Sequence, residues 1–543
     1  MAAKHRRRTI RIFFIVTVLC ISLASCASVE RGTDDDFIGP RPVSSLSSRP
    51  GEKIAAPEAP QTSPVVRSEG SIAVTVQEAI LMSLENNRAL KVQRLNPAIN
   101  RTAEEEQRAP FDPILTGEYS RYRKKSEKPI RPSGKNLENE DNTEMGASEY
   151  LPTGTKVGLE LSTQRTWSDL YSDDLHASRV GLSITQALLR GAGINYNLAS
   201  LRQARLDTRT SQYELRGFAE SLVAQVEKTY WDYALTQRQI TIFLESLKLA
   251  EQQKRETEEI IRIGALAESE LAAAEAEIAL RREGLINARS NQEKTRIRLL
   301  RLLDPPDTNL WQRNVELLHE PRVPDVKLDD VETHAAVALR MRPDLNQARL
   351  QVQRGDLEIA KTKNGLLPKM DFFINLGRTG YTGSFNSSVS DIDGKSYDIL
   401  AGVSLEYPLI NRGARAQHRR SLLSREQAEE ALRNLVQLVQ VDVRSAYIEV
   451  NRAREQIAAT AATRTFQEEK ARIEIEKFRV GKSTTLLVAQ AQRDRLSSRI
   501  SEIQAIANYL KALVELYRLE GSLLDRRGIM APGSPIQGKV RKK

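Results

Sequence analysis

One long unit occurs twice in this chain, and that duplication restricts the fold more than any other feature. Residues 230–302 and 447–519 align without a gap: Tyr230 falls on Tyr447, Ile240 on Ile457, Arg262-Ile263-Gly264 on Arg479-Val480-Gly481, Ala274 on Ala491, Asn291 on Asn508 and Leu299 on Leu516. Upstream, Gly181-Leu182-Ser183-Ile184 matches Gly402-Val403-Ser404-Leu405, while Leu90 and Pro113 match Leu345 and Pro368. Each copy reads helix, β segment, long helix, hinge, long helix. Solenoid periods run to roughly 20–50 residues, so two units of this length are halves of one pseudo-symmetric body rather than a stack.

The helical parts are long. No proline interrupts the chain from Thr153 to Asp304 or from Leu409 to Ala531, and Leu215, Phe218, Leu222, Val226, Tyr230 and Tyr233 step by threes and fours. With 28% charged and only 5% aromatic residues, the composition suits packed helices. The pattern predicts helices over 195–263, 266–303, 414–480 and 484–520. At about 1.5 Å per residue the longer ones reach on the order of 100 Å, which no single globular core can bury, so they must build a tube or a rod. Each hairpin folds back at a glycine, Gly264 or Gly481, where a left-handed residue ends a helix at little cost.

Between the helical parts the period falls to two. Leu115, Gly117 and Tyr119, then Val157, Leu159 and Leu161, then Val180, Leu182 and Ile184 alternate with small or polar residues; Phe372, Ile374 and Leu376, then Ile399, Ala401 and Val403, do the same in the second copy. Aromatic residues crowd into these windows, Tyr122, Trp167, Phe373, Tyr381 and Tyr397 among them. A half-buried sheet of a soluble protein would alternate in this way, but aromatic crowding favours a lipid-facing wall with a polar lumen. Residues 124–143 and 382–395 are expected to be external loops. The first window is longer, and its excess around Leu151-Pro152-Thr153-Gly154 is expected to form an extra hairpin or loop outside the barrel. Two strands per copy give four per chain, too few for a membrane barrel, whose smallest versions have about eight. An open edge in lipid is prohibitive, so several chains must share one barrel; three give twelve strands.

The N-terminus reads as an export leader. Lys4, Arg6, Arg7, Arg8 and Arg11 precede an apolar run from Ile12 to Ile21, too short to span a bilayer comfortably, followed by Leu23-Ala24-Ser25-Cys26. That ending resembles a bacterial lipobox, which marks Cys26 as the lipidated first residue. Cys20, the other cysteine, leaves with the leader, so no internal disulfide is expected. The net charge of +10 comes almost entirely from the leader and from Lys539, Arg541, Lys542 and Lys543, which leaves the body close to neutral and gives no footprint for nucleic acid. The expected organisation is leader 1–25, disordered tether 26–71, first repeat 72–304, linker 305–328, second repeat 329–521 and basic disordered tail 522–543.

No enzyme site emerges. Gly481-Lys482-Ser483-Thr484 imitates the end of a phosphate-binding loop, but Glu476 stands where that loop needs glycine, inside a predicted helix. His5, His176, His319, His334 and His418 lack metal-ligand spacing, and acidic pairs such as Glu258-Glu259 read as solvated helix faces. No catalytic, cofactor or metal residue is assigned.

Taken together, the duplication, Gln186-Ala187-Leu188-Leu189-Arg190-Gly191-Ala192-Gly193 with its counterpart Tyr407-Pro408-Leu409-Ile410, Tyr230 and Tyr447, and the two tip triplets resemble the TolC-like outer-membrane efflux and secretion channels. The resemblance runs from about Thr75 to Gly521. It implies a mainly α fold with a β-barrel part: a homotrimer whose twelve-stranded outer-membrane barrel continues into a periplasmic α-helical barrel. It further implies a lipid-anchored outer-membrane location and a duct without chemistry of its own, serving a tripartite efflux pump or type I secretion system. The tips Arg262, Ile263, Gly264 and Arg479, Val480, Gly481 would meet a periplasmic adaptor (membrane fusion protein) attached to an inner-membrane pump. The best-known member closes its periplasmic end with acidic residues six and nine positions after the second tip glycine; here those positions are Leu487 and Gln490, with Glu270 at plus six in the first copy. An apolar iris at Leu487 is therefore expected in place of an acidic ring. A reading of a different class is a periplasmic coiled-coil scaffold or adaptor lipoprotein that never spans the membrane. The two differ in what the β windows face.

Overall fold

The computed structural model describes residues 71–126, 136–168, 174–264, 266–305, 310–324 and 327–530. All of them belong to one compact unit, Pro64–Lys543. The leader, Cys26, nearly all of the tether and residues 531–543 lie outside the described residues.

In chain order the first copy contains β1 (Ser71–Val74), α1 (Val76–Asn86), α2 (Arg88–Arg108), β2 (Ile114–Ser126), β3 (Asn136–Tyr150), β4 (Thr155–Ser168), β5 (Leu175–Ala187), α3 (Ile194–Asn197), α4 (Ala199–Arg262) and α5 (Ser269–Leu303). The second contains β6 (Asn314–Leu317), α6 (Val331–Met341), α7 (Pro343–Asn364), β7 (Lys369–Thr382), α8 (Phe385–Ser390), β8 (Tyr397–Glu406), α9 (Arg412–Arg479), α10 (Thr485–Glu520) and α11 (Leu523–Arg526). The long helices α4 and α9 have 64 and 68 residues and end within a few residues of the expected bounds.

Local chemistry sets the starts and stops. Thr75 and Glu78 form a capping box, with Glu78 N donating to Thr75 Oγ1 at 3.2 Å and Thr75 N donating to Glu78 Oε2 at 2.7 Å. Asn87 Oδ1 caps α2 by accepting from Leu90 N, while its Nδ2 donates to Leu302 O and ties that cap to the end of α5. Gly521 ends α10 at φ +70°, and a Cβ there would press on the backbone of Met341 and Arg342.

Helices α4 and α5 fold back on one another, as do α9 and α10, and the shorter α2 and α7 extend the array beside α4 and α9. The main core lies where the ends of α5 and α10 meet α1, α6 and the middle of α4 and α9, with Ile80, Leu90, Leu300, Leu345, Val443 and Leu516 all buried. Strands β1 and β6 pair in parallel there, which brings the starts of the two copies together. Tyr230 locks this pair: its hydroxyl donates to Val74 O at 3.2 Å and accepts from His319 N at 3.3 Å, and burial pushes its phenol up to about 12. Its counterpart Tyr447 lies against the His334 ring instead, so the duplication has diverged at its core.

Three expectations change. The segment expected to be a linker, 305–328, carries β6. The start of the segment expected as tail from residue 522 is folded, because Leu523 and Leu524 are fully buried in the core. The third change concerns strand number. One antiparallel sheet holds six strands in the order β2-β3-β4-β5-β7-β8, where four were expected. The excess of the first window forms β3 and β4 within the sheet, and most of 124–143, expected as loop, is paired strand; the remainder, 127–135, lies outside the described residues. In the second copy, α8 occupies part of 382–395.

Beside the buried end of α10, the Glu220 side chain on α4 is only 3% exposed and pairs with Arg216. Burial outweighs that pairing and pushes its carboxyl up to about 7. An acid whose folded value is raised binds its proton more readily in the native state. Its contribution to stability is complete below about 4.5 and is lost as pH rises through about 7. Glu220→Gln, a fixed neutral isostere, is expected to match the parent at pH 4.5 and to exceed it by about 3 kcal/mol at pH 8. Urea-unfolding midpoints in detergent at the two pH values check this, and parallel profiles for the two proteins would rule it out.

Candidate functional site: a two-faced sheet and paired hairpin tips

Register decides what the sheet presents. Directly paired positions share a face, and Leu115, Ala147, Leu159, Leu182, Leu376 and Ile399 form one continuous row across all six strands. The neighbouring row on the other face is Thr116, Gly146, Glu160, Gly181, Gly377 and Asp398. The apolar face is bare, with Leu115 84% and Leu405 66% exposed. On the polar face Arg179 of β5 reaches across β7 to Asp398 of β8, and only a glycine at 377 leaves room for that pair to cross. Trp167 lies near one end of the apolar face with the guanidinium groups of Arg121 and Arg165 at 5.5 and 4.8 Å from its ring, an arrangement suited to a bilayer interface. The strands have 10 to 15 residues, long enough for a tilted crossing that takes about 9–11. No described helix is long and apolar enough to cross a membrane.

Each of the two hairpins ends in its tip triplet. Gly264 and Gly481 adopt φ +78° and +73°, and Lys482 N closes on Lys477 O. Arg262 pairs with Glu259, and Arg479 pairs with Glu476 while approaching Glu256 of the other hairpin at 3.9 Å. Ile263 and Val480 are 73% and 67% exposed, so each tip offers an apolar side chain ringed by held charges.

The family model described as outer membrane efflux protein matches residues 336–522, most of the second copy. Among solved structures the chain is similar to the outer-membrane channel OprN, at 18% identity and TM-score 0.60 over 82% of this chain and 90% of that one. It is also similar to the Campylobacter jejuni CmeC outer membrane channel (16% identity, TM-score 0.62, 82% and 86% covered). The outer membrane protein VceC from Vibrio cholerae gives 12% identity and TM-score 0.61, with 82% and 96% covered. At these identities the likeness is one of fold, and it spans both copies. No curated protein matches the chain in sequence.

Within this fold, the residues considered for a gate fall on different surfaces. Leu487 and Gln490 lie on the exposed side of α10, whereas Thr485, Val488 and Ala491 face the neighbouring helices; Glu270 is half-buried at the start of α5. The sequence reading missed a buried polar layer nearby. Glu277 and Arg281 on α5 form an ion pair with side chains 7% and 6% exposed, and Arg493 on α10 reaches Glu277 Oε2 at 3.2 Å. Burial lowers the Arg281 guanidinium from its ordinary value, with Glu277 opposing. Gln253, Thr485 and Gln492 close in around the same spot. The available signal was a charged i,i+4 pair placed in line with Ala274, Ile278 and Leu285, where an apolar stripe would otherwise continue.

Proposed function

We propose that the chain is the subunit of an outer-membrane exit duct. It assembles as a homotrimer through its sheet edges and lengthwise hairpins and is lipid-anchored at Cys26. The observation that carries this reading is the sheet, which has an apolar band running across all six strands on one face, a polar reverse, and no described strand on the outer edge of β2 or β8. An exposed apolar face with two open edges suits neither water nor a lone chain in lipid, and closure with sister copies satisfies both. Those features argue against the non-spanning scaffold. The hairpins supply the tunnel and the tips the docking surface for a periplasmic adaptor and its inner-membrane pump. Whether the duct serves efflux or polypeptide secretion depends on those partners.

The test is single-channel recording of the purified protein in planar bilayers, together with its mass in detergent. Discrete conductance from a three-chain particle is expected; a water-soluble monomer that needs no detergent would end the proposal. The same recordings address the tips. Leu487 stands exposed on α10 where three copies would converge, and shortening it to alanine is expected to raise the closed-state conductance. Leu487→Ala channels that conduct no better than the parent would refute an apolar iris there.

A further inference from the structure

We infer that all six strands of the sheet cross the membrane, so that three copies close an eighteen-stranded barrel in which β2 of each copy pairs with β8 of the next. This rests on the duct reading and deepens it, because the wall that follows is half again as large as four strands per copy would give.

The inserted strands are continuous with the rest. Strand β3 pairs with β2 from Ile114↔Ser148 to Ser126↔Asn136, and β4 pairs with β5 from Thr155↔Gln186 to Thr166↔Leu175, so the insertion is bonded along its length on both sides. A hairpin lying outside the wall would leave β2 to pair directly with β5, and it does not. An apolar band also runs through the insertion, with Met145 and Ala147 on β3 and Val157, Leu159 and Leu161 on β4 in register with Leu182 and Val180 on β5, and it ends on the side away from the helices where Asp141 pairs with Arg165 on the same face.

The turn between β3 and β4 is fastened to the root of the helical part. Asn197 Nδ2 donates to Pro152 O at 3.0 Å and to Gly191 O at 2.9 Å, its Oδ1 accepts from Tyr150 Oη at 3.0 Å, and Gly193 N donates to Thr153 O at 3.1 Å. Gly154 sits at φ +91° where a Cβ would strike Gly191 O, so the turn is pressed against this segment. Such an anchor holds the hairpin at the end where the wall meets the tunnel and leaves it no freedom to splay.

Parity completes the argument. The insertion adds two strands, one in each direction, so β8 and β2 remain antiparallel across the seam between copies and the ring closes with an even number. An insertion of one strand would have broken this. Barrel diameter grows roughly in proportion to strand number, so eighteen strands give a mouth about 1.5 times as wide as twelve, in the range where barrels hold an open aqueous channel. The narrowest point then lies among the helices or at the tips, and the outer wall sets no size limit on cargo that has passed the tunnel.

The experiment is depth-dependent fluorescence quenching in the assembled duct. Cysteine is placed at Leu159 on β4 and at Leu182 on β5, labelled with bimane, and exposed to bilayers containing brominated acyl chains, with labelling of the parent chain subtracted. Quenching to a similar extent at both positions is expected. Quenching at Leu182→Cys alone would overturn the inference and leave the duct standing; quenching at neither would overturn the duct itself. Electron cryo-microscopy of the unsubstituted chain in nanodiscs reads the strand number without any variant, and twelve strands in the ring would refute eighteen.

Discussion

Arg527→Ala is expected to destabilise the protein by about 3–5 kcal/mol, the cost of leaving a buried carboxylate without its partner. Glu227 sits on α4 with no exposed surface, and Arg527 holds it through two parallel bonds, Nε to Oε1 at 2.7 Å and Nη2 to Oε2 at 2.6 Å. Arg527 is itself about one-third exposed and would suffer little from losing Glu227, so the cost is asymmetric. The pair also fixes the last described turn of the chain. Leu523 and Leu524 fill the core just before it, and the Arg526 guanidinium lies 4.2 Å from the Tyr517 ring centroid. The double variant Arg527→Ala/Glu227→Gln removes the orphaned charge and is expected to recover most of the loss. Urea midpoints of the helical signal in detergent for parent, single and double variants decide this, and a double variant no better than the single would show that Glu227 needs no partner.

That contact was hidden in the sequence for a physical reason. Asp525, Arg526 and Arg527 give the segment after Gly521 the look of a solvated tail, and two leucines are too few to show a period. The long helices were legible because a stripe repeated over many turns, twice in one chain, averages out local noise. Short elements gave no such signal. β1 and β6 have four residues each and are recognisable only through pairing across the whole first copy. The first part of β3 falls in the expected loop because Asn136-Leu137-Glu138-Asn139-Glu140-Asp141-Asn142 has no apolar alternation, although Met145 and Ala147, further along the same strand, carry the apolar band onward. The remaining strand faces were legible residue by residue, since a period of two fixes the face once one position is known. At the tips the glycines were legible from their place at the end of the stripe, whereas the Arg479–Glu256 approach joins two hairpins that spacing alone cannot relate.

The sharpest consequence of that two-face reading concerns two adjacent residues. Leu182 lies mid-strand on the apolar row, and Ser183, the next residue, lies on the polar face opposite Gly158 and Asn375. An arginine facing lipid near the bilayer midplane costs about 2–4 kcal/mol per site. Every copy carries the substitution, so a three-chain wall loses roughly 6–12 kcal/mol, enough to abolish assembly. On the duct reading the same arginine at 183 points into an aqueous lumen beside the Arg179–Asp398 pair, and its insertion cost is small. Leu182→Arg is therefore expected to be missing from the outer-membrane fraction as a urea-resistant oligomer, while Ser183→Arg accumulates there like the parent. If both variants assemble equally, the apolar face does not touch lipid. If Ser183→Arg alone is lost, the wall is inside out and the polar rows must be packed against protein, because a charge pair such as Arg179–Asp398 has no stable place facing hydrocarbon.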